Sequence, residues 1–346
     1  MNAIPLIRVS SILPFLKFLN RIGSPTDRLL KQANLSAFAI EQPEGLIPLY
    51  QGFSFVEAAA RIEDTNILGL EVGRHSQVAD LGMLGHVIQQ SLTLYELLST
   101  LQRVIHLNNS CAKIWLTEEN DPQGDGKADR LWVHHQFACA PKLQSPQAQL
   151  FTVLMLIKAI QLATGTGWHP AALRFRISDS GKLTKTAEFG NVPVYFNQGT
   201  NAIAIPKHLL AQPLQRLRAS QPLSPQECYH HLQTTAPSTD FLGSLQQLLQ
   251  SLLKEGYPDI SSVAAATGTS VRSFQRRLAA ANLNYSQIVE QVRFDRAIQL
   301  LHDPDIQLIE IALELGYSDA ANFTRAFKRW TGTPPYQFRR LHVTSN

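Results

Sequence analysis

Residues 308–335 of the chain read LIEIALELGYSDAANFTRAFKRWTGTPP, and residues 260–278 read ISSVAAATGTSVRSFQRRL. Both stretches contain apolar residues at helical spacing, then a glycine and a serine, and then a run with phenylalanine and arginine. Gly268 and Gly316 lie 48 residues apart (316 − 268), whereas Phe274 and Phe323 lie 49 residues apart (323 − 274). The later copy therefore has one additional residue at the start of its second helix.

Each copy has the pattern of a helix-turn-helix, in which a short helix, a tight turn and a second helix follow one another. Glycine adopts the left-handed backbone conformation at low cost, so it is common immediately after a helix. A serine hydroxyl can cap the next helix, and we expect this of Ser270 and Ser318. Asp259 and Asp305 are expected to cap the two leading helices in the same way.

The second helix of each copy is predicted to have an apolar face and a basic face. The residues expected to face the core are Phe274, Leu278, Phe323, Phe327 and Trp330. The residues expected to face outward are Arg272, Gln275 and Arg276 in the earlier helix, and Ala321, Thr324, Arg325 and Lys328 in the later one. Neither outward-facing set contains an acidic residue; the acidic residues of this region lie at other positions in the sequence. Such segregation is typical of proteins that bind duplex DNA.

The length of 346 residues indicates more than one domain. Hydrophobic residues make up 44% and charged residues 17%, which is typical of globular chains, and the net charge of +4 suits a polyanionic partner without proving one. A stretch rich in Gln, Ser, Pro and Thr predicts a linker at 215–239, with one helical turn around 227–232. We therefore expect domains at 1–214 and 240–341.

The first domain is predicted to have an α+β fold, and the second to be all-α with two helix-turn-helix subdomains. The predicted helices of the first domain are 54–63, 93–105 and 150–163, and Ser91 or Thr93 is expected to cap the second of them. Predicted strands are 112–117, 131–137, 173–177, 192–196 and 202–205, the first two being joined by a turn-rich loop at 120–126. The apolar stretch 4–19, interrupted by Arg8 and Lys17, is read as an amphipathic helix and not as a signal peptide.

The cellular compartment and the lack of a membrane partner are predicted from the cysteine spacing and from the length of the apolar runs. Cys111, Cys139 and Cys228 have no metal-ligand spacing and are expected to be reduced thiols of a cytoplasmic protein. The longest apolar run, 150–163, is too short to span a bilayer, so no membrane partner is expected.

The sequence has no motif that indicates an enzyme. The pairs His134–His135 and His230–His231 do not chelate a metal naturally, since neighbours on a strand point to opposite faces, and satisfied surface histidines are the better interpretation. GxSxG and HExxH motifs are missing. Trp115, Trp132 and Trp168 could line an effector pocket, although core packing is the simpler interpretation. No cofactor, catalytic residue or metal is expected.

On the duplicated residues, the region 241–340 resembles the AraC/XylS family of transcription regulators. The most specific segment is 309–335, which closes on Gly332-Thr333-Pro334-Pro335. The resemblance implies seven helices, with a long connecting helix at about 286–301 between the two subdomains. It also implies that both second helices enter successive major-groove segments on one face of double-stranded DNA, about 34 Å apart.

The resemblance also places the DNA contacts. They are Arg272, Ser273, Gln275 and Arg276 in the first unit, and Ala320, Ala321, Thr324, Arg325, Lys328 and Arg329 in the second. Arginine pairs with guanine and glutamine with adenine, so the first unit is expected to supply most hydrogen-bonded specificity, whereas the alanines and Thr324 suit thymine methyl groups. Thr269 stands where many relatives carry a bulkier apolar residue, as Tyr317 does in the second unit. The first turn is therefore expected to be less firmly packed.

The N-terminal region resembles the effector-binding domain of an ornithine- and arginine-regulator-like branch of the family. The residues concerned are DLGMLG at 80–85, SLTL at 91–94 and FGNVPVYF at 189–196. The resemblance implies that residues from about 20 to 214 bind a small-molecule effector of unknown identity and dimerise.

We therefore expect a sequence-specific transcription regulator, an activator that works with RNA polymerase and forms a homodimer. One alternative is a ligand-independent architectural DNA-binding protein. The other is a DNA-targeted enzyme with a helix-turn-helix tail, such as an alkyl-transfer repair protein. That class needs a four-cysteine zinc cluster near its N-terminus, which three scattered cysteines cannot form.

Overall fold

The computed structural model describes residues 3–119, 130–138, 143–178, 189, 192–215 and 224–343. An N-terminal domain of helices and strands is followed by a purely helical domain. The elements of the first are β1 (Leu6–Arg8), α1 (Leu13–Arg21), α2 (Thr26–Gln32), α3 (Ala37–Ile40), β2 (Leu46–Pro48), α4 (Leu49–Ile62), α5 (Leu68–Arg74), α6 (Met83–Gln89), α7 (Leu94–Asn108), β3 (Ala112–Glu119), β4 (Arg130–Phe137), α8 (Pro146–Thr164), β5 (Ala172–Arg174), β6 (Val194–Tyr195) and β7 (Asn201–Pro206).

The main sheet of the N-terminal domain has five strands in the order β3-β4-β7-β5-β6. Its strand pairs are antiparallel, except that β5 and β6 run parallel. The predicted hairpin is confirmed, with Ala112 opposite Phe137, while its loop at 120–126 lies outside the described residues. The predicted cap Thr93 accepts from the backbone N–H of Glu96 at the start of α7. The α+β class is thus confirmed, with the sheet and helices sharing one core.

The first residues depart from the prediction of one amphipathic helix over 4–19. They form β1, a short 3-10 turn at Val9–Ser11, and then α1. β1 pairs with β2, which comes some forty residues later and which a local pattern cannot reveal. Pro14 lies in the first turn of α1, where its missing N–H costs nothing, and the helix therefore begins here.

The long central helix α8 also departs from the prediction, since it extends beyond the apolar run at both ends. It has 19 residues and, by length and composition, could cross a membrane. Its most apolar window is 67% buried within the domain, as is usual for the core helix of a globular fold.

The prediction of three reduced cysteines is wrong for Cys111, which is disulfide-bonded. Cys228 is a free buried thiol, and Cys139 lies outside the described residues. The prediction rested on the wide separation of the cysteines in the sequence. Such separation says little about distance in the fold, since the hairpin places the end of β4 beside the start of β3. The backbone N–H of Ala138 donates to the Cys111 carbonyl at 2.7 Å.

The predicted linker contains a helix that is longer than one turn. This helix, α9 (Pro225–Thr234), begins with a capping box between Ser224 and Glu227. It packs on α6 and α7, and it contributes Cys228 and Leu232 to the N-terminal core. Residues 216–223 of the linker lie outside the described part.

The C-terminal domain has the seven helices that the resemblance implied. They are α10 (Phe241–Leu252), α11 (Ile260–Ala266), α12 (Val271–Ala280), α13 (Tyr285–Leu301), α14 (Leu308–Glu314), α15 (Ala320–Thr331) and α16 (Pro335–Val343). The connecting helix α13 begins one residue before the expected position. The apolar core of this domain also takes in Ile4 and Leu6 from the N-terminus of the chain.

Candidate nucleic-acid interface

The first helix-turn-helix unit is formed by α11 and α12, and its local structure follows the predicted residues. Asp259 caps α11 by accepting from the backbone N–H groups of Ser261 and Ser262. Gly268 follows the helix with a φ of +69°, the left-handed region in which glycine is favoured. Ser270 then caps α12 by accepting from the N–H of Ser273. All three predictions for this unit are confirmed.

The second unit, α14 and α15, uses two caps other than those predicted. α14 begins at Gln307, which forms a capping box with Glu310, and not at Asp305. α15 is capped by Asp319, whose carboxylate accepts from the N–H of Asn322, and not by Ser318. The extra residue in this copy explains the second shift, because it moves the cap position one residue along the chain. A carboxylate is also a good N-cap acceptor at the positive end of a helix.

The turn of the second unit is fixed by a close backbone approach and a buried arginine. A Cβ atom on Gly316 would lie 2.5 Å from the carbonyl oxygens of Leu253 and Gly256, so only glycine fits. The guanidinium of Arg293, on α13, donates to the Gly316 carbonyl at 3.0 Å and lies 4.3 Å from the Tyr317 ring centroid. No pattern in the sequence pointed to Arg293, which on α13 looks like an ordinary charged residue of a solvated face.

The turn of the first unit is packed from outside its own domain. A Cβ atom on Gly268 would lie 2.5 Å from the ring of Tyr50, the second residue of α4. Within the turn, the Thr269 hydroxyl lies 3.0 Å from the Thr267 hydroxyl and 3.4 Å from the Ala264 carbonyl oxygen. The predicted weaker packing at Thr269 concerns contacts within the unit itself. The Tyr50 ring of the N-terminal domain packs against the same turn from outside.

The two second helices present the faces that the spacing predicted. Phe274, Leu278, Phe323 and Phe327 are buried, and Trp330 is half-buried. Arg272, Gln275 and Arg276 are exposed on α12, where Ser273 is half-buried. Ala321, Arg325, Lys328 and Arg329 are exposed on α15, where Ala320 and Thr324 are half-buried. Every candidate DNA contact therefore lies on one of two helix surfaces.

Several of these side chains already have partners. Thr324 donates its hydroxyl hydrogen to the Ala320 carbonyl at 2.8 Å. Arg325 donates to the side-chain oxygen of Asn322 on its own helix. Arg329 forms an ion pair with Glu290 of α13 at 2.7 Å. In contrast, the described part of the chain offers no ion pair or side-chain hydrogen bond to Arg272, Gln275 or Arg276.

The electrostatics of the two surfaces favour a polyanion. Every charged residue within α12 and α15 is basic: Arg272, Arg276 and Arg277 on the first, and Arg325, Lys328 and Arg329 on the second. Arg277 faces inward, with its guanidinium 4.3 Å from the Phe241 ring centroid, and burial lowers its pKa. At the start of α15, the Asn322 backbone N–H holds the pKa of Asp319 below its usual value, so this carboxylate stays ionised as a cap.

Comparison with known protein families finds a match for two regions of the chain. Residues 23–214, which are 192 of the 346 residues (214 − 22), match the arabinose-binding N-terminal domain of AraC transcription regulators. Residues 263–341 match a helix-turn-helix domain. The chain belongs to the AraC family.

Individual relatives of this AraC-family chain cover most of its length. It is 24% identical over 319 residues to the ornithine utilization regulator of Pseudomonas aeruginosa, spanning 92% of this chain and 91% of that protein. It is 22% identical over 338 residues to the transcriptional regulator VirS of Mycobacterium tuberculosis, spanning 96% of both. The crystal structure of the regulator CdpR from Pseudomonas aeruginosa matches with 24% identity and a TM-score of 0.37, over 91% of this chain and 96% of that one.

The family settles the class of function. The chain is a DNA-binding transcription regulator in which an effector-binding domain precedes a helix-turn-helix domain, as predicted. Its relatives are regulators and not enzymes, which excludes the DNA-targeted enzyme considered as an alternative.

Proposed function

We propose that α12 and α15 of this AraC-family regulator enter two successive major-groove segments on one face of the duplex. The contacts would come from Arg272, Ser273, Gln275 and Arg276 on α12, and from Ala320, Ala321, Thr324, Arg325, Lys328 and Arg329 on α15. The observation that carries the proposal is the exposure of Arg276 and Arg325 on helices whose charged residues are all basic. Two major-groove segments on one face lie about 34 Å apart.

The two helices would divide the work of recognition. Arg272, Gln275 and Arg276 are exposed and unengaged in the described structure, so α12 can form bidentate hydrogen bonds with guanine and adenine. The Thr324 hydroxyl hydrogen is committed to the Ala320 carbonyl. The remaining candidate contacts in the first turn of α15, Ala320 and Ala321, offer only methyl groups, which suit thymine or a close approach to the backbone.

The basic residues near the end of α15 would mainly bind phosphate. Lys328 is exposed, whereas Arg329 must exchange its ion pair with Glu290 for a phosphate oxygen. An exposed ion pair contributes about 0–1 kcal/mol, so this exchange costs little. Arg329 would thus raise affinity for any sequence without selecting one.

Effector control would pass through β1, which touches both domains. Ile7 lines a cavity inside the N-terminal domain, while Ile4 and Leu6 lie in the core of the DNA-binding domain. The Ile4 N–H donates to the Ser244 hydroxyl of α10 at 2.8 Å. The buried guanidinium of Arg8 donates to the carbonyls of Leu107 and Leu232 and thereby ties α7 to α9. A change in the position of β1 would therefore reach α10, on which α12 and α13 pack through Phe241 and its neighbours.

The remaining predictions belong to the same proposal. We infer a cytoplasmic homodimer without a membrane partner, which activates transcription through contact with RNA polymerase. The relative CfaD of Escherichia coli, 34% identical over 76 residues, is a transcriptional activator.

The experiment that tests DNA recognition begins with selection of bound fragments from sheared genomic DNA by the full-length protein. Binding to the selected duplex and to a scrambled duplex is then measured by fluorescence anisotropy at several salt concentrations. We expect the Arg276→Ala, Arg325→Ala double variant to lose most of the preference for the selected duplex. Arg28→Ala, which removes an exposed arginine from α2 of the N-terminal domain, is the matched control and should leave binding unchanged. An unchanged preference in the double variant would contradict the proposal.

A further inference from the structure

A cavity of about 90 Å³ lies inside the N-terminal domain, between α1, α4, α7, α8 and β4. Most of its wall is apolar, and no charged side chain is among the described residues that line it. Leu81 and Leu84, from the segment that resembles the family's effector domain, form part of this wall. None of the three tryptophans considered for an effector pocket lines it; Trp132, for example, is buried beneath the Arg174 guanidinium.

Two buried polar side chains in the cavity wall have atoms without partners. His135 is 1% exposed, and in the described structure neither of its ring nitrogens has a hydrogen-bond partner. Asn108 donates its amide to the Ser11 hydroxyl at 3.1 Å, but its side-chain oxygen is buried and unpaired. Buried polar groups are almost always paired in folded proteins, so two unpaired groups in one cavity wall require an explanation.

The neighbouring residue, His134, is a histidine of the same strand whose ring nitrogens both have hydrogen-bond partners. The Nε2 atom of His134 lies 2.8 Å from the Thr117 hydroxyl, and Nδ1 lies 2.9 Å from the Thr200 hydroxyl. Its ring also stacks on Trp115. The prediction of satisfied surface histidines is therefore wrong for this pair: both rings are buried, and His135 is unsatisfied. Alternation along β4 turns His135 away from the threonines and toward the cavity.

The chemistry of the His135 ring defines what it can recognise. Burial lowers the pKa of His135 to about 3, so the ring is neutral at physiological pH. A neutral imidazole has one N–H donor and one nitrogen acceptor. Together with the acceptor oxygen of Asn108, this set fits a group that both donates and accepts, such as a hydroxyl.

We propose that this cavity is the effector site and that the effector is a compact, uncharged molecule with an apolar body and a hydroxyl or equivalent group. The hydroxyl would bind His135 and Asn108, and the apolar body would lie against residues such as Phe15, Phe53 and Phe151. The inference rests on the proposed effector control, since Ile7 of β1 shares the same wall. An amino acid such as ornithine does not fit, because its charges would be buried without a partner of opposite charge.

The test measures binding of small probes to the full-length protein by isothermal titration calorimetry. The probes are benzyl alcohol, toluene, which lacks the hydroxyl, and L-ornithine. We expect benzyl alcohol to bind about tenfold more tightly than toluene, the ratio expected of one satisfied hydrogen bond. Ornithine should show no competing binding. Equal affinity for toluene and benzyl alcohol, or displacement of benzyl alcohol by ornithine, would overturn the proposal.

The variant His135→Phe separates a ligand-binding role from a structural one. Because an apolar ring replaces an unpaired polar ring, the melting temperature without ligand should rise, while the preference for benzyl alcohol over toluene should disappear. His208→Phe, a substitution of an exposed histidine beyond β7, should change neither quantity. Asn108→Leu provides a second variant with the same expected loss of preference. A lower melting temperature for His135→Phe with the preference retained would show that His135 is a structural residue and would refute the proposal.

The same samples distinguish this inference from the proposed function. Anisotropy without ligand reports DNA binding alone, and calorimetry without DNA reports the cavity alone. If the wild-type protein showed no sequence preference on DNA, the proposed function would be contradicted. The probe affinities would still test the cavity proposal independently.

Discussion

Arg276→Ala is the substitution for which the structure makes the sharpest prediction. The side chain is exposed on α12 and, within the described part of the chain, has no ion pair or side-chain hydrogen bond. Its removal should therefore leave the free energy of unfolding within about 0.5 kcal/mol of the wild type. If the guanidinium reads a guanine, binding to the cognate duplex should weaken by about 1–3 kcal/mol, or about 5- to 150-fold.

The assay compares fluorescence anisotropy on the cognate and scrambled duplexes at one fixed salt concentration, with calorimetric melting of the same samples. The neighbouring variant Arg277→Ala is an informative control, because that guanidinium lies over the Phe241 ring and not on the outer face. It should lower the stability of the C-terminal domain by about 0.5–2 kcal/mol. Equal loss on both duplexes for Arg276→Ala would show that Arg276 binds only phosphate, and a lower melting temperature would show that it is structural. Either result would contradict a role for Arg276 in reading guanine.

Three further predictions concern the turns and caps. Arg293→Met should destabilise the C-terminal domain by about 1.5–3 kcal/mol, since it removes a charged hydrogen bond to the Gly316 carbonyl, and a small change in calorimetry would contradict this. Gly268→Ala should lower the melting temperature, and combining it with Tyr50→Ala should restore part of the loss. Tyr50→Ala should not rescue Gly316→Ala, because backbone oxygens crowd that position. Equal rescue of both glycine variants would contradict this distinction. Asp319 has a lowered pKa, chiefly through the Asn322 N–H, so its stabilisation of α15 is present above the unfolded-state pKa of about 3.9 and is lost as the pH falls below it. Circular dichroism from pH 6 to 3 should show a shallower acid transition for Asp319→Asn, and parallel curves would count against the cap.

The duplicated region could be read from the sequence because local rules determine it. The glycines, the apolar spacing and the arginine-bearing faces all act within a few residues of one another, whereas the number of seven helices was implied by the family resemblance. The errors in this region are also local: the additional residue moved the cap of α15 from Ser318 to Asp319, and Gln307 forms a capping box that a search for Ser, Thr, Asp and Asn overlooks.

The features that the sequence did not reveal depend on contacts between distant segments. Ile4 and Leu6 belong to the core of a domain that begins more than two hundred residues later. Arg8 is completely buried, and carbonyls of α7 and α9 accept its hydrogen bonds, although the sequence places it only within an apolar N-terminal stretch. The disulfide of Cys111 and the unpaired ring of His135 likewise depend on neighbours in the folded chain. Local periodicity contains no information on such neighbours.

We propose that α12 and α15 lie in two adjacent major-groove segments on one face of the duplex. Methylation interference at guanine N7, which lies in the major groove, tests this most directly on the selected site. We expect two clusters of interfering guanines about 10–10.5 base pairs apart, and Arg276→Ala should abolish interference in one cluster only. A single cluster, two clusters on opposite faces, or loss of both with Arg276→Ala would contradict it.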